Sequence, residues 1–405
     1  MLSRQRIIEN TDKFSINNYD RLPLVAGKAR GVRIQDVNGD EYWDMLGVYA
    51  AASEGHNHPR IVSAICEHLR GNGISSLSGG YYSVPYGEFV EVFTRFCRMD
   101  RVIFKTGGSE AVEAAIKLAK RYAYRTKGIK KGRAEIIACE NNFHGRLPNA
   151  IGLSTIEKYK KDFGPFPPGL SYVPLSDPDA LGRMITPNTA AFLFEVVQGE
   201  GGVNFWEDGC LREIEKICRK NKVLMIDDEI QAGLGRTGYD FAYEHEGVQP
   251  DMIIVAKALA AAMMPMSAVA ANNHIMDLIN PGDEGSTFGS HPLSCVVALE
   301  AFRIYQEEKL AERSREMGGY LLSKLNGLKS PFIKEVRGRG LLVGIELVPG
   351  TKGAKYFRKK LFDQGIICET AGDNTVVRFS PPLVISREDI DGAMPKIEKV
   401  FRRLG

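Results

Sequence analysis

Between residues 58 and 290 the chain alternates short apolar runs with segments of helical period, which predicts an α/β fold on a mostly parallel sheet covered on both faces by helices. Two sets of observations carry this. The apolar runs are "RVIF", "EIIAC", "AAFLFEVV", "KVLMIDDE" and "DMIIVA". Between them, Val112, Ala115, Ile116 and Ala119 recur at helical spacing, and "CLREIEKICRKN" reads as a helix.

The elements on either side differ in kind. Near the start, "GVRIQDV" and "DEYWDML" flank Asn38-Gly39, a dipeptide suited to the two positive-φ positions of a type I′ hairpin turn. After Pro292 a long helix, "LSCVVALEAFRIYQEEKLAERSREMGGYLLSKLNGL", is expected. It is followed by "GLLVGIELV", a helix around "AKYFRKKLFDQG" and the strand candidate "TVVRFSPPLVI". This predicts three stretches: an N-terminal segment 1–57, a large domain 58–290 and a C-terminal α+β lobe 291–405.

The 405 residues carry a net charge of +3, with 44% hydrophobic and 25% charged side chains. Acids and bases are interspersed, so nucleic acid and anionic membrane are poor partners and small molecules are expected. Cys66, Cys97, Cys139, Cys210, Cys218, Cys295 and Cys368 are scattered, and no pair has a zinc-holding spacing. Reduced thiols in a cytosol-like compartment follow. The opening "MLSRQRIIENTDKF" lacks the apolar centre of a signal peptide, and its two acids are unlike a transit peptide. The longest apolar stretch, Ala258 to Ala271, contains Pro265 and falls short of the ~20 residues that cross a bilayer. The expectation is a soluble, cytoplasmic protein without a metal.

Ligands of an open parallel sheet bind beyond the C-terminal strand ends, so polar residues that follow apolar runs are the candidates. "RVIFKTGGSEAVEAA" brings Gly107, Gly108 and Ser109 to the start of a helix, where free amides and the helix dipole favour phosphate; it also reads as an ordinary strand-to-helix turn. "KVLMIDDEIQ" delivers Asp227 and Asp228 to a strand end, where a carboxylate holds a cationic nitrogen or caps a helix. Lys257 follows "MIIV" directly; it is either a desolvated nucleophilic amine or a lysine that snorkels from a helix start. "GSTFGSHP", residues 285–292, is a second anion-binding loop or a turn.

Together and in this order, these elements resemble the class III pyridoxal-phosphate aminotransferases of fold type I. The likeness extends from "NYDRLPLV" near residue 20 to "VVRFSPPLVI" near 380. The resemblance implies an α/β large domain with a small α+β domain formed by both terminal segments, and pyridoxal 5′-phosphate as cofactor. It implies that Lys257 carries the cofactor and shuttles the proton, and that Asp228 pairs with the pyridinium nitrogen. Gly107, Gly108 and Ser109 would cradle the phosphate, Phe143 would stack on the ring and Gln231 would touch its hydroxyl. Thr287 would reach the phosphate of a neighbouring subunit, so a homodimer with shared active sites is implied.

"GIKKGRAEII", "FGPFPPG", "DEIQAGLGRTG", "NPGDEGSTFG" and "RFSPPLVI" place the chain nearest the ornithine δ-aminotransferase branch of that family. Tyr19 and Tyr49 would then line the donor pocket, and Arg146 would hold the α-carboxylate so that the distal amine faces the cofactor. Glu200 and Arg378 match a switch in which the acid masks the arginine until a dicarboxylate takes it; a buried ion pair closing the C-terminal lobe is the architectural alternative. The implied reaction moves the distal amine of an ω-amino donor, ornithine first, to 2-oxoglutarate, giving glutamate and a semialdehyde. Acetylornithine, lysine, putrescine or 4-aminobutyrate as donor, a racemase or aminomutase on the same scaffold, and a non-catalytic binding module are the alternatives.

The chain departs from the family's pattern in three places. Alanines, Ala258 and Ala260 to Ala262, follow the lysine where glycines are usual, and alanine resists positive φ, so a helical or altered backbone is expected there. Gly289-Ser290-His291-Pro292 stands for Gly-Gly-Asn-Pro, with His291 expected to cap a helix, a polar contact near the neighbouring subunit's phosphate being the alternative, and Glu195-Val196 stands for Glu-Pro.

Overall fold

The computed structural model describes residues 2–402; Met1 and residues 403–405, the outer ends of the two terminal segments, lie outside them. Its centre is a sheet of seven strands in the order Arg101–Lys105, Ser267–Ala271, Met252–Val255, Leu224–Asp228, Thr189–Phe194, Glu135–Cys139, Leu170–Val173. Ser267–Ala271 runs antiparallel to both neighbours and every other adjacent pair is parallel. The fold is therefore α/β with a mostly parallel sheet, as the alternation of patterns requires.

Side chains leave a strand on alternate faces, so each buried strand must feed two apolar layers. Ala138, Leu193, Ile226, Ile254 and Val269 face the helix Gly108–Arg125, whose Ala111, Val112, Ala115, Ile116 and Ala119 are buried against them. The intervening residues Ile137, Phe192, Met225, Ile253 and Ala268 enter the second, larger core. That core continues into the C-terminal residues, where Ile333–Arg339, Leu342–Leu347, Val376–Phe379 and Glu369–Ala371 form an antiparallel sheet. A further sheet joins Ala26–Arg30, Arg33–Asp36 and Glu41–Asp44 to Ile366–Ile367, so the two ends of the chain share one element.

Two local expectations are corrected. The first hairpin closes around Asn38-Gly39, but only Gly39 has positive φ, at 97°, so the turn is not type I′. The Asp36 carboxylate organises it by accepting the N–H groups of Asn38 and Asp40, at 2.8 and 3.0 Å. The single long helix after Pro292 is two helices, Pro292–Glu307 and Leu310–Asn326. Lys309 takes φ of 50°, which ends the first and lets Leu310 turn into the core. Pro292–Glu307 packs against Pro59–Arg70 and Val84–Cys97, and His291 caps it by accepting from the Ser294 N–H at 3.3 Å. Among the described residues no helix is long and apolar enough to cross a membrane.

In the second helix Gly318 faces Gly340, and a Cβ at Gly318 would lie 2.0 Å from the Gly340 carbonyl oxygen. Gly318→Ala should lower stability by about 1–3 kcal/mol, because backbone must shift, even though alanine favours helix. Chemical denaturation reads this as a lower midpoint at constant slope.

Candidate active site

Three neighbouring parallel strands end side by side. Thr189–Phe194 hands over Glu195, Leu224–Asp228 ends in Asp228, and Met252–Val255 leads through Ala256 to Lys257. Their ends open into a cavity of about 540 Å3 that Glu195, Asp228 and Lys257 line together with Gly108, Ser109, Phe143, Glu200 and Gln231. Residues from five separate stretches of sequence thus meet at one sheet edge.

Strand alternation decides which of the two adjacent aspartates serves this cavity. Asp228 lines it, whereas Asp227 points to the other face, where it is fully buried without a hydrogen-bond partner beside Glu229. Burial, reinforced by Glu229, pushes the Asp227 carboxyl well above the usual carboxylate range. Asp228 is held from both sides: Oδ2 lies 2.7 Å from His144 Nδ1, and Oδ1 accepts the Ile230 N–H at 3.1 Å. A carboxylate only accepts, so the histidine proton sits on Nδ1. His144 has no exposed side-chain surface, and its Nε2 is buried without a partner.

Gly107 is the N-cap of Gly108–Arg125, an 18-residue helix whose first amides face the cavity. Glu110 reaches back to accept from the Thr106 and Gly107 N–H groups, both at 3.0 Å, and fixes the turn. The Ser267 hydroxyl donates to the Gly107 carbonyl at 2.8 Å, so the strand next to the lysine's own strand holds the same turn.

Lys257 is half-buried, takes φ of 48° and opens the 3-10 turn Lys257–Ala260. Desolvation lowers its pKa to about 8; Glu200, Asp228 and Glu195 oppose that shift and Arg378 adds to it. Arg378 is fully buried, donates from Nη1 to Glu200 Oε1 at 2.7 Å and to Gln231 Oε1 at 3.2 Å, and keeps Nε and Nη2 unpartnered. Burial alone would raise the Glu200 carboxyl, but Arg378 and Lys257 outweigh it and lower its pKa.

The expectation for the alanines is half right. Ala258 to Ala260 continue the helical turn, but Ala261 and Ala262 take φ of 54° and 55°, the left-handed region alanine was expected to avoid. The apolar residues Met263, Met264 and Met266 follow and form a wall of the cavity.

Tyr49 stands on a more unusual backbone. Gly47, Val48, Tyr49 and Ala50 have φ of 55°, 54°, 57° and 69°, one turn of left-handed helix in which a β-branched residue takes part. Asp44 Oδ1 accepts from the Leu46 and Gly47 N–H groups at 3.0 and 2.8 Å, and its Oδ2 lies 2.7 Å from His56 Nε2. The Ser380 hydroxyl donates to the Leu46 carbonyl at 2.7 Å. Only glycine fits at 47, where a Cβ would sit 2.7 Å from the Ser380 carbonyl. The turn brings Tyr49 within 5.9 Å of the Arg378 guanidinium, ring centroid to carbon, and its hydroxyl donates to Glu369 at 3.2 Å.

Six of the expected site residues, Tyr19, Tyr49, Gly107, Arg146, Thr287 and Arg378, are not among those that line the cavity, although Gly107 adjoins Gly108 and Arg378 contacts Glu200 and Gln231, which do. Tyr19 is 62% exposed, although the neighbouring Asp20 carbonyl accepts from Arg358, which also pairs with Glu369. Arg146 lies over the Tyr159 ring, beside Ser109, to which its N–H donates at 3.4 Å. Thr287 is exposed, in a loop anchored by Lys105, Lys117 and Arg121 to Glu284 and Asp283.

Sequence reasoning passed over two cavity residues. Glu195 ends the apolar run "AAFLFE", so the criterion that found Asp228 and Lys257 also points to it. Its Oε2 accepts the Phe143 N–H at 3.1 Å, and burial together with Asp228 pushes its pKa well up. His144 adjoins Phe143, but nothing local announces a partner 84 residues away.

A family model described as aminotransferase class-III matches residues 14–401. The ornithine aminotransferase of Geobacillus sp. (strain WCH70) is 46% identical over 401 residues, which cover 99% of each chain. An ornithine aminotransferase structure from Toxoplasma gondii, which has partial occupancy of pyridoxal phosphate at its active site, superposes with a TM-score of 0.94 at 37% identity and covers 98% of this chain and 94% of that one. An acetylornithine aminotransferase structure from Elizabethkingia anophelis gives 0.88 at 37%, with 99% of each covered.

Competitive labelling of the apo protein by an acylating reagent, read by mass spectrometry, should show Lys257 gaining reactivity with a midpoint near pH 8. Exposed lysines titrate at about 10.4. Glu200 holds the Lys257 pKa up, so Glu200→Gln should move that midpoint to lower pH; a midpoint that rises or stays would refute the electrostatic account.

Proposed function

The chain belongs to the class-III aminotransferase family, and we propose that it uses pyridoxal 5′-phosphate to move the distal amine of ornithine to 2-oxoglutarate, yielding glutamate and glutamate semialdehyde. The observation that carries this choice is the 2.7 Å contact between Glu200, which lines the cavity of Lys257, and a wholly buried Arg378 behind it. A carboxylate that masks an arginine suits a pocket serving both a substrate with one carboxylate and a substrate with two. Relatives that are ornithine aminotransferases support the donor.

The residues present fit the cofactor. Gly107, Gly108 and Ser109 at the start of a long helix suit its phosphate, Phe143 suits its ring face, Gln231 its ring hydroxyl and Asp228 its ring nitrogen. When bound, the cofactor supplies an electron sink for the carbon that loses its proton. Lys257, with its pKa near 8, sheds a proton close to neutral pH, serves as the covalent anchor and, once freed, moves the proton at the amine-bearing carbon. His144 orients Asp228.

In this reading Arg146 takes the α-carboxylate of ornithine, Tyr19 and Tyr49 line its chain, and the distal amine is left facing Lys257. Glu200 stays on Arg378 while that donor is bound. A dicarboxylate displaces Glu200 and is gripped by Arg378 through two parallel hydrogen bonds. The exposed Thr287 completes the phosphate site of a second subunit in a homodimer, residues 1–57 and 291–405 form a small domain over 58–290, and the enzyme is cytoplasmic.

Incubation with L-ornithine and 2-oxoglutarate should form glutamate and pyrroline-5-carboxylate, the cyclised semialdehyde. Faster turnover of acetylornithine, lysine, putrescine or 4-aminobutyrate would overturn the donor assignment. Lys257→Ala should abolish turnover. Arg378→Ala should cut kcat/KM for 2-oxoglutarate about 10- to 100-fold, the loss expected for a charged bidentate contact, and leave the ornithine half-reaction nearly intact.

A further inference from the structure

Arg146 and Arg378 are held in contrasting ways. Arg378 has a carboxylate partner, whereas the Arg146 guanidinium has no ion-pair partner among the described residues. Its carbon lies 3.7 Å from the centroid of the Tyr159 ring and 5.4 Å from that of Phe143. Tyr159 is half-buried on the short turn Glu157–Lys160, and its ring meets Phe143 nearly edge-on, with centroids 5.9 Å apart and planes at 74°. Burial raises the pKa of its hydroxyl, and the charge of Arg146 opposes that rise.

We propose that Tyr159 is a positioning residue that sets the substrate's carboxylate specificity by holding the Arg146 guanidinium flat on its ring. The inference rests on the assignment of Arg146 to the donor α-carboxylate. A π face attracts a cation through the ring quadrupole and uses none of its N–H groups. A guanidinium pinned this way keeps its planar edge free for a bidentate carboxylate, and its rotamer is restrained before substrate arrives. Because Tyr159 abuts Phe143, which lines the cavity, the carboxylate grip is referenced to the place where the amine reacts. This fixes the length of donor that spans from Arg146 to Lys257. A carboxylate in place of Tyr159 would hold the arginine as well but would compete with the substrate for it.

The test compares L-ornithine with 1,4-diaminobutane, the same amine chain without the α-carboxylate, in half-reactions of the holoenzyme. For Tyr159→Leu the half-saturating concentration of ornithine should rise about tenfold while the limiting rate and all constants for 1,4-diaminobutane stay within a factor of about two, in line with a lost cation–π contact. Tyr159→Phe keeps the ring and should restore the ornithine value. Equal losses on both donors, or a normal ornithine value in Tyr159→Leu, would overturn the proposal. Arg146→Gln separates it from the assignment beneath it. That variant should collapse the preference for ornithine over 1,4-diaminobutane, and if it does not, the role of Arg146 fails first and the role of Tyr159 with it.

Discussion

A guanidinium with no exposed surface needs a compensating charge, and Arg378 finds it across the molecule in Glu200. An uncompensated buried cation is strongly destabilising, so Arg378 requires an anion where the C-terminal antiparallel sheet meets the strand ends of the central one. Other contacts follow the same line. Ser380, two residues beyond Arg378, clasps the turn that carries Tyr49, and Arg236, buried in the large core, donates to the Leu341 carbonyl at 3.1 Å and to the Pro381 carbonyl at 2.5 Å. The partners these groups do find lie in the other half of the molecule, so the contacts form only when the halves are together.

The cavity holds three titratable acids and one amine in close range, and their environments separate them. Burial and Asp228 raise the pKa of Glu195, Arg378 and Lys257 lower that of Glu200 against its burial, and desolvation brings that of Lys257 down to about 8. The net field at the amine is a balance of near neighbours, which makes its basicity sensitive to a single charge. The two arginines are held differently, Arg378 by the carboxylate of Glu200 and Arg146 by the aromatic face of Tyr159.

Much of this was legible in the chain because the signal was local. A short apolar run that ends in Asp228, or in Val255 just before Lys257, states both the strand and the place where its polar end emerges, and the same rule reaches Glu195. What escaped depends on distant or unfavourable geometry. His144 acquires its meaning from Asp228, and Tyr159 from Arg146. Left-handed φ at Val48, Ala261 and Ala262 contradicts the residues' own preferences by roughly 1–2 kcal/mol each, so propensity points the wrong way there. Strain of this kind persists where surrounding contacts over-determine the backbone, as Asp44 and Ser380 do at residues 46–47. The Asn38-Gly39 turn was misjudged for a related reason, since the carboxylate of Asp36 outweighs the dipeptide.

The antiparallel strand Ser267–Ala271 has a consequence for the order of assembly. Arg101–Lys105 pairs only with this strand, Lys105 lying opposite Ser267, so the edge that leads into the Gly107 turn has no partner until roughly 160 more residues exist. At about 5–20 residues per second of synthesis that is a wait of roughly ten to thirty seconds, during which an apolar strand stands unpaired. Pairing over such a separation is also entropically slow once the chain is complete. The Gly107 turn is therefore written early in the chain and built late, and its neighbouring strand is in place only when most of the protein has left the ribosome.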